Sequence, residues 1–212
     1  MAMNLVKLPT GKPNLQLRVS KGHYATSHSH INYYIDVTLT KFRLSEARAA
    51  AAELIRAYKA TTIVDTILCL DGTEVIGACM GSELTKAGYS NMNAHQTIYV
   101  VTPEHTTGSQ LIFRENTAPM IQGKHVLVLA ASVTTGYTVQ GAVEAIRYYG
   151  GEPAGVTAIF ATVDKCAGYP VASIFDPHDL PDYQSYDAHS CPWCKEGKKI
   201  DALVNSFGYS SL

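Results

Sequence analysis

From Leu44 onward, short β-branched apolar runs alternate with longer stretches of strong helix formers, and this alternation restricts the fold more than any other feature. Leu44 to about Lys59 is alanine-rich, with Ser45 placed to cap it. Thr61 to Leu70 reads as a strand buried on both faces, ended by Asp71-Gly72. Thr73 to Ala87 predicts a helix, Thr97 to Val101 a second strand and His125 to Leu129 a third. Gly136 to Tyr149 predicts a helix stopped by Gly150-Gly151, and Val156 to Val163 a fourth strand. Strands and crossover helices at this spacing predict an α/β fold, a parallel sheet flanked by helices on both faces.

The flanks differ from this core. Residues 1–43 have polar, aromatic β character; residues 164–212 carry Pro170, Pro177, Pro181 and Pro192, with no long periodic element before Ile200 to Phe207. The expectation is one domain over residues 1–212, with a core at about 44–163 and both termini folding over it as a small hood and tail.

Composition narrows the classes. Of 212 residues, 46% are hydrophobic and 17% charged, enough to bury a core, which excludes disorder as the main state. With 17 basic and 18 acidic side chains there is no excess of positive charge for a nucleic acid to find. No apolar run approaches the roughly 18 residues of a membrane span, and the first thirteen residues hold no signal-like apolar stretch. Five cysteines, an odd number, argue for reduced thiols, with Cys69 and Cys79 as small buried hydrophobes. A cytoplasmic protein is expected.

In an open parallel sheet, ligands sit beyond the carboxyl ends of the strands, where helix N-termini point. Two strand-to-helix junctions qualify, Cys69 to Glu74 and Leu129 to Thr138. The second places Thr134, Thr135 and Thr138 around Gly136 where a helix begins. Unpaired amides there, together with hydroxyl donors, suit a phosphate without any basic side chain, and glycine allows close approach. The competing reading is that Thr134 and Thr135 only cap the helix.

Val126 to Thr138, an apolar strand running into Thr134-Thr135-Gly136-Tyr137-Thr138, resembles the phosphoribosyl pyrophosphate (PRPP) motif of type I phosphoribosyltransferases. Gly22-His23-Tyr24-Ala25-Thr26-Ser27 followed by His30 to Asp36 is similar to the early signature of the orotate phosphoribosyltransferases, and Cys191-Pro192-Trp193-Cys194 with Gly197 resembles an ending seen in many of them. The resemblance implies a twisted parallel sheet with a hood, usually in a homodimer, and Mg²⁺-dependent transfer of phosphoribose from PRPP to a pyrimidine base with release of pyrophosphate. It implies that Thr134 to Thr138 hold the 5′-phosphate and that Leu70, Asp71, Gly72 and Thr73 form the pyrophosphate loop. Ser27, Tyr34 and Ile35 would lie against the base, and Lys165 would face its carboxylate.

The chain departs from that family's pattern in three places. Ala130 and Ala131 stand where two carboxylates grip the ribose, a loss worth about 3–6 kcal/mol at ~1.5–3 kcal/mol per charged hydrogen bond. Val101-Thr102-Pro103-Glu104 replaces a basic pair, leaving Arg114, opposed by Glu104 and Glu115, as the formal cation between Thr102 and Gly123. His28-Ser29 replaces a Gly-Lys pair. Two readings follow: a divergent phosphoribosyltransferase in which Asp71, Glu74 or Arg114 replaces missing catalytic contacts, or a non-catalytic binder of a nucleotide or phosphorylated sugar.

Cys191 and Cys194 have zinc-knuckle spacing, but a structural zinc needs four ligands. Cys166, His178 and His189 could supply the remaining ligands but offer no tightly spaced second pair, so zinc is the weaker reading and a tucked turn with reduced thiols the expectation. His28 and His30, two apart on a strand, would face one side and could chelate a metal together, but read more simply as hydrogen-bonded surface residues.

Overall fold

The computed structural model describes residues 3–88, 91–108 and 110–212. After a short strand, Val6–Leu8, which pairs antiparallel with Leu17–Val19, the chain forms a hairpin, β1 (Leu17–Ala25) and β2 (Ser29–Asp36), antiparallel and bulged between Lys21 and Tyr24. Helix α1 (Leu44–Leu54) leads to β3 (Thr66–Cys69), α2 (Glu74–Leu84) and β4 (Tyr99–Val101). Then come β5 (His125–Val133), α3 (Tyr137–Tyr148), β6 (Glu152–Ala161) and β7 (Tyr169–Phe175).

Strands β7, β6, β5, β3 and β4 lie side by side in that order, every pair parallel. Period-two alternation sends their side chains into two apolar layers. Ile67, Cys69, Leu127 and Leu129 pack toward Ala47, Ala50 and Ala51 of α1 and Met80 of α2. Leu68, Val126 and Val128 pack toward Val139, Ala142, Val143 and Ile146 of α3. The alanines of α1 recur at i, i+3 and i+4, the apolar face of a helix laid on a sheet.

Boundaries moved for local reasons. α1 ends at Leu54 and passes into a 3₁₀ turn, Ile55–Ala57; the amides of Thr61 and Thr62 then bond to Tyr58 O, so β3 begins only at Thr66. Arg43, not Ser45, occupies the cap position of α1, without a side-chain bond. β5 runs on to Val133 because Ser132 and Val133 stay in register with Phe160 and Ala161. The core also extends past residue 163: β7 is a fifth parallel strand, with Pro170 near its start, where a missing N–H is tolerated.

Both termini build a second sheet. After β8 (Ser185–Asp187), which pairs with β2, the tail forms the hairpin of β9 (Ala202–Asn205) and β10 (Gly208–Ser211). β9 lies parallel to β1, with Ala202 opposite Tyr24. Buried Arg18 of β1 binds Glu46 of α1 through both carboxylate oxygens, at 2.7 and 2.8 Å, and so fixes the hood to the core. Among the described residues no helix is long and apolar enough to cross a membrane.

Candidate functional site

The chain leaves β3 for the sheet edge at β4, then returns to β5 on the other side of β3. Strand order therefore reverses between β3 and β5, and the loops beyond their carboxyl ends open a crevice where α/β sheets bind ligands. A cavity of about 190 Å³ lies there, between the turn after β5, the hood hairpin and the turn joining β9 to β10.

Its floor is the Thr134–Thr138 turn. Gly136 has φ 79°, and a Cβ there would stand 2.5 Å from Cys166 Sγ, so conformation and space both demand glycine. No side chain caps α3, and no acidic residue occupies its first turn. The two threonine hydroxyls are thus not spent on a cap, and the positive end of a twelve-residue helix faces the cavity.

The roof is the hood hairpin. Ser27, His28, Tyr34 and Ile35 line it, and the His28 ring meets that of Tyr137 across the mouth at 5.0 Å between centroids. Tyr34 is buried among Tyr24 and Tyr209, and burial pushes its phenol up to about 12, so it stays neutral.

Asp71 is the one carboxylate among the described lining residues. Burial pushes it above the ordinary aspartate value, opposed by bonds from Ser206 and the Ala131 amide and by the charges of Lys41 and His105. It stands at φ 59°, a left-handed conformation that aspartate tolerates better than most residues. Ala130 and Ala131 themselves are fully buried within β5, one in each apolar layer, so that part of the strand offers the cavity no side-chain acceptor.

The expected pyrophosphate loop is largely enclosed. Leu70 is in the core, and Thr73 is buried with its hydroxyl donating to the carbonyls of Leu70 and Leu129. The ammonium of buried Lys41 donates to Asp71 O and Ser206 O, 2.7 Å each, and lies over the rings of Phe42 and Phe207. A Cβ on Gly72 would touch these same three side chains.

Ser27, Tyr34, Ile35, Asp71 and the whole Thr134–Thr138 turn therefore meet in one cavity. Arg114 and Lys165 do not line it: Arg114 is exposed and bound to Glu104 by three contacts of 2.7–3.0 Å, and exposed Lys165 starts a two-residue strand, Lys165–Cys166, that pairs antiparallel with the start of β7. Sequence reasoning missed Lys41, Asn205 and Ser206. The contacts of Lys41 span 30 and 165 residues, and no local pattern announces them.

No family model matches the chain. Over 76 residues it is 36% identical to the orotate phosphoribosyltransferase of Caldanaerobacter subterraneus, a stretch covering 36% of this chain and 39% of that relative's length. Among solved structures, the Mycobacterium tuberculosis orotate phosphoribosyltransferase bound to Fe(III) dicitrate superposes with a TM-score of 0.53 at 19% identity, over 77% of this chain and 92% of that one. A Corynebacterium diphtheriae phosphoribosyltransferase gives 0.52 at 22% identity, over 76% and 90%. The Trypanosoma brucei adenine phosphoribosyltransferase, bound to AMP, pyrophosphate and ribose-5-phosphate, gives 0.52 at 14%, over 76% and 78%. The fold is that of the type I phosphoribosyltransferases.

Proposed function

We propose that this protein binds the 5′-phosphate of a pyrimidine nucleotide on the Thr134–Thr138 turn, with the base under the hood against Ser27, Tyr34 and Ile35. The observation that carries the reading is the contrast between two loops of one crevice. The helix N-terminus is uncapped and lines the cavity, while in the loop that would take pyrophosphate Leu70 and Thr73 are buried, Lys41, Phe42 and Phe207 stand beside Gly72, and Asp71 alone reaches the cavity. A monophosphate needs only the first loop; PRPP needs both.

A second reading, transfer of phosphoribose from PRPP to a pyrimidine-type base, is favoured by Asp71, a carboxylate beside the end of β5 where ribose hydroxyls would lie. Mg²⁺ in that reaction would be held chiefly by the oxygens of PRPP and by water, with Asp71 the one carboxylate among the described lining residues that could join them.

Calorimetry with orotidine monophosphate and PRPP, paired with a pyrophosphate-release assay on PRPP, orotate and Mg²⁺, tests the choice. The monophosphate is expected to bind more tightly than PRPP, without pyrophosphate formation. Pyrophosphate release dependent on orotate would overturn the binding-only reading and establish the second.

A further inference from the structure

At the far end of the hood, four Lewis-basic side chains from distant parts of the chain converge on one point. His23 of β1, His30 of β2, Cys191 and Cys194 place one ligand atom each within 4.8 Å of all the others. His23 Nε2 lies 3.1 Å from His30 Nδ1, 3.6 Å from Cys191 Sγ and 3.7 Å from Cys194 Sγ; His30 Nδ1 lies 3.2 Å from Cys194 Sγ. A tetrahedral zinc with the usual bond lengths has nitrogen–nitrogen edges of about 3.3 Å and nitrogen–sulfur edges of about 3.5 Å. The observed separations are those of a tetrahedron already drawn together.

We propose that His23, His30, Cys191 and Cys194 form a structural zinc site that fixes the C-terminal segment to the hood hairpin. The set is complete at four protein ligands, which leaves no open position for catalysis. Two thiolates balance the charge of Zn²⁺, so the buried cluster is neutral overall. The surroundings orient the first histidine. His23 Nδ1 is 3.1 Å from the carbonyl oxygens of both Lys198 and Lys199; only a ring N–H donates to a carbonyl, which leaves the lone pair on Nε2 for the metal. The backbone of His23 is pinned as well, its amide donating to Asp201 Oδ2 at 2.7 Å and its carbonyl accepting from the Asp201 amide at 2.8 Å. The Trp193 ring packs edge-on against His23 and against Tyr186, closing one side.

These are not the partners that the sequence offered for a zinc. Cys166 is at Gly136, His178 is bound to Asp176, and the His189 amide donates to Asp187; none of their side chains joins the cluster. His30 belongs to it and His28 does not, since His28 faces Tyr137 at the cavity mouth. Immediately after the cluster, β9 lies along β1 and delivers Asn205 and Ser206 to the cavity wall. Zinc here would hold that wall in register, whatever the cavity binds.

The test is elemental analysis of the full chain, made without a polyhistidine tag in zinc-supplemented medium and dialysed against metal-free buffer. One zinc per chain is expected, and replacement by Co²⁺ should give the intense visible bands of a tetrahedral site together with thiolate-to-cobalt charge transfer. Cys194→Ser, at the exposed rim, should keep the fold by circular dichroism while zinc retention falls at least about tenfold. A folded protein with little zinc and no cobalt bands, a Cys191–Cys194 disulfide in its place, or C194S holding zinc as tightly as the parent would each overturn the proposal. None of these results depends on nucleotide binding, so the two readings fail separately.

Discussion

Lys41 donates from its ammonium to the carbonyl oxygen of Asp71, and from the same atom to the carbonyl of Ser206 165 residues away. One buried cation thus holds the loop after β3 and the turn between β9 and β10 against each other. Burial pulls its pKa below the ordinary lysine value, with Asp71, Glu74 and Asp36 opposing the shift. Lys41→Met keeps the apolar stem between Phe42 and Phe207 but strands two carbonyls. At about 1–3 kcal/mol for losing a charged donor, the variant should unfold at lower urea. Hydrogen exchange across Ala202–Ser211 should also quicken; unchanged exchange there would show that the lysine does not hold the tail.

Gly136 separates two costs. Gly136→Ala forces a β-carbon into a φ of 79° and against Cys166 Sγ. A loss of about 1–3 kcal/mol in urea unfolding is expected. The double variant G136A/C166A removes the contact and retains the dihedral, so it should recover only part of the loss. Full recovery would mean that the backbone conformation costs nothing.

Asp65 gives a pH signature. Burial alone would raise its pKa, but bonds from the backbone amide and ring of His125, both 2.8 Å, and the nearby charges outweigh it and hold it below 3.8. A carboxylate depressed in the folded state contributes stability that is fully present above its unfolded value and lost as pH falls through the folded one. Asp65→Asn should therefore cost about 1 kcal/mol at neutral pH, discounted for partial exposure, and the gap from the parent should close below pH 3.8. Urea unfolding at a series of pH values checks it; a gap that widens in acid contradicts the assignment.

The sheet was legible because the centres of β3, β5 and β6 are buried on both faces and read as apolar runs, Ile67–Cys69, Val126–Ala131 and Val156–Ala161, with Thr157 the one polar residue among them. The Thr134–Thr138 turn was legible because glycine between hydroxyls has a local mechanical meaning. β7 was not, since Pro170 and Ser173 interrupt the apolar run and only pairing with β6 makes it a strand. The thiols at 191 and 194 declared their spacing, but their partners sit on opposite strands of a hairpin. The register that puts Ala25 opposite His30, and the bulge that swings His23 beside it, are tertiary facts. A reading that paired hairpin residues across the Thr26–Ser29 turn, in place of neighbours two apart, would have found them.

Binding of a phosphate monoester at the uncapped N-terminus of α3 is tested by calorimetric titration with orotidine or uridine 5′-monophosphate, set against the corresponding nucleoside. If the amides and hydroxyls of the Thr134–Thr138 turn carry the affinity, removing the phosphate should weaken binding by at least about a hundredfold, or ~2.7 kcal/mol. Nucleoside and monophosphate binding equally well, or neither binding, would show that the turn is not a phosphate site.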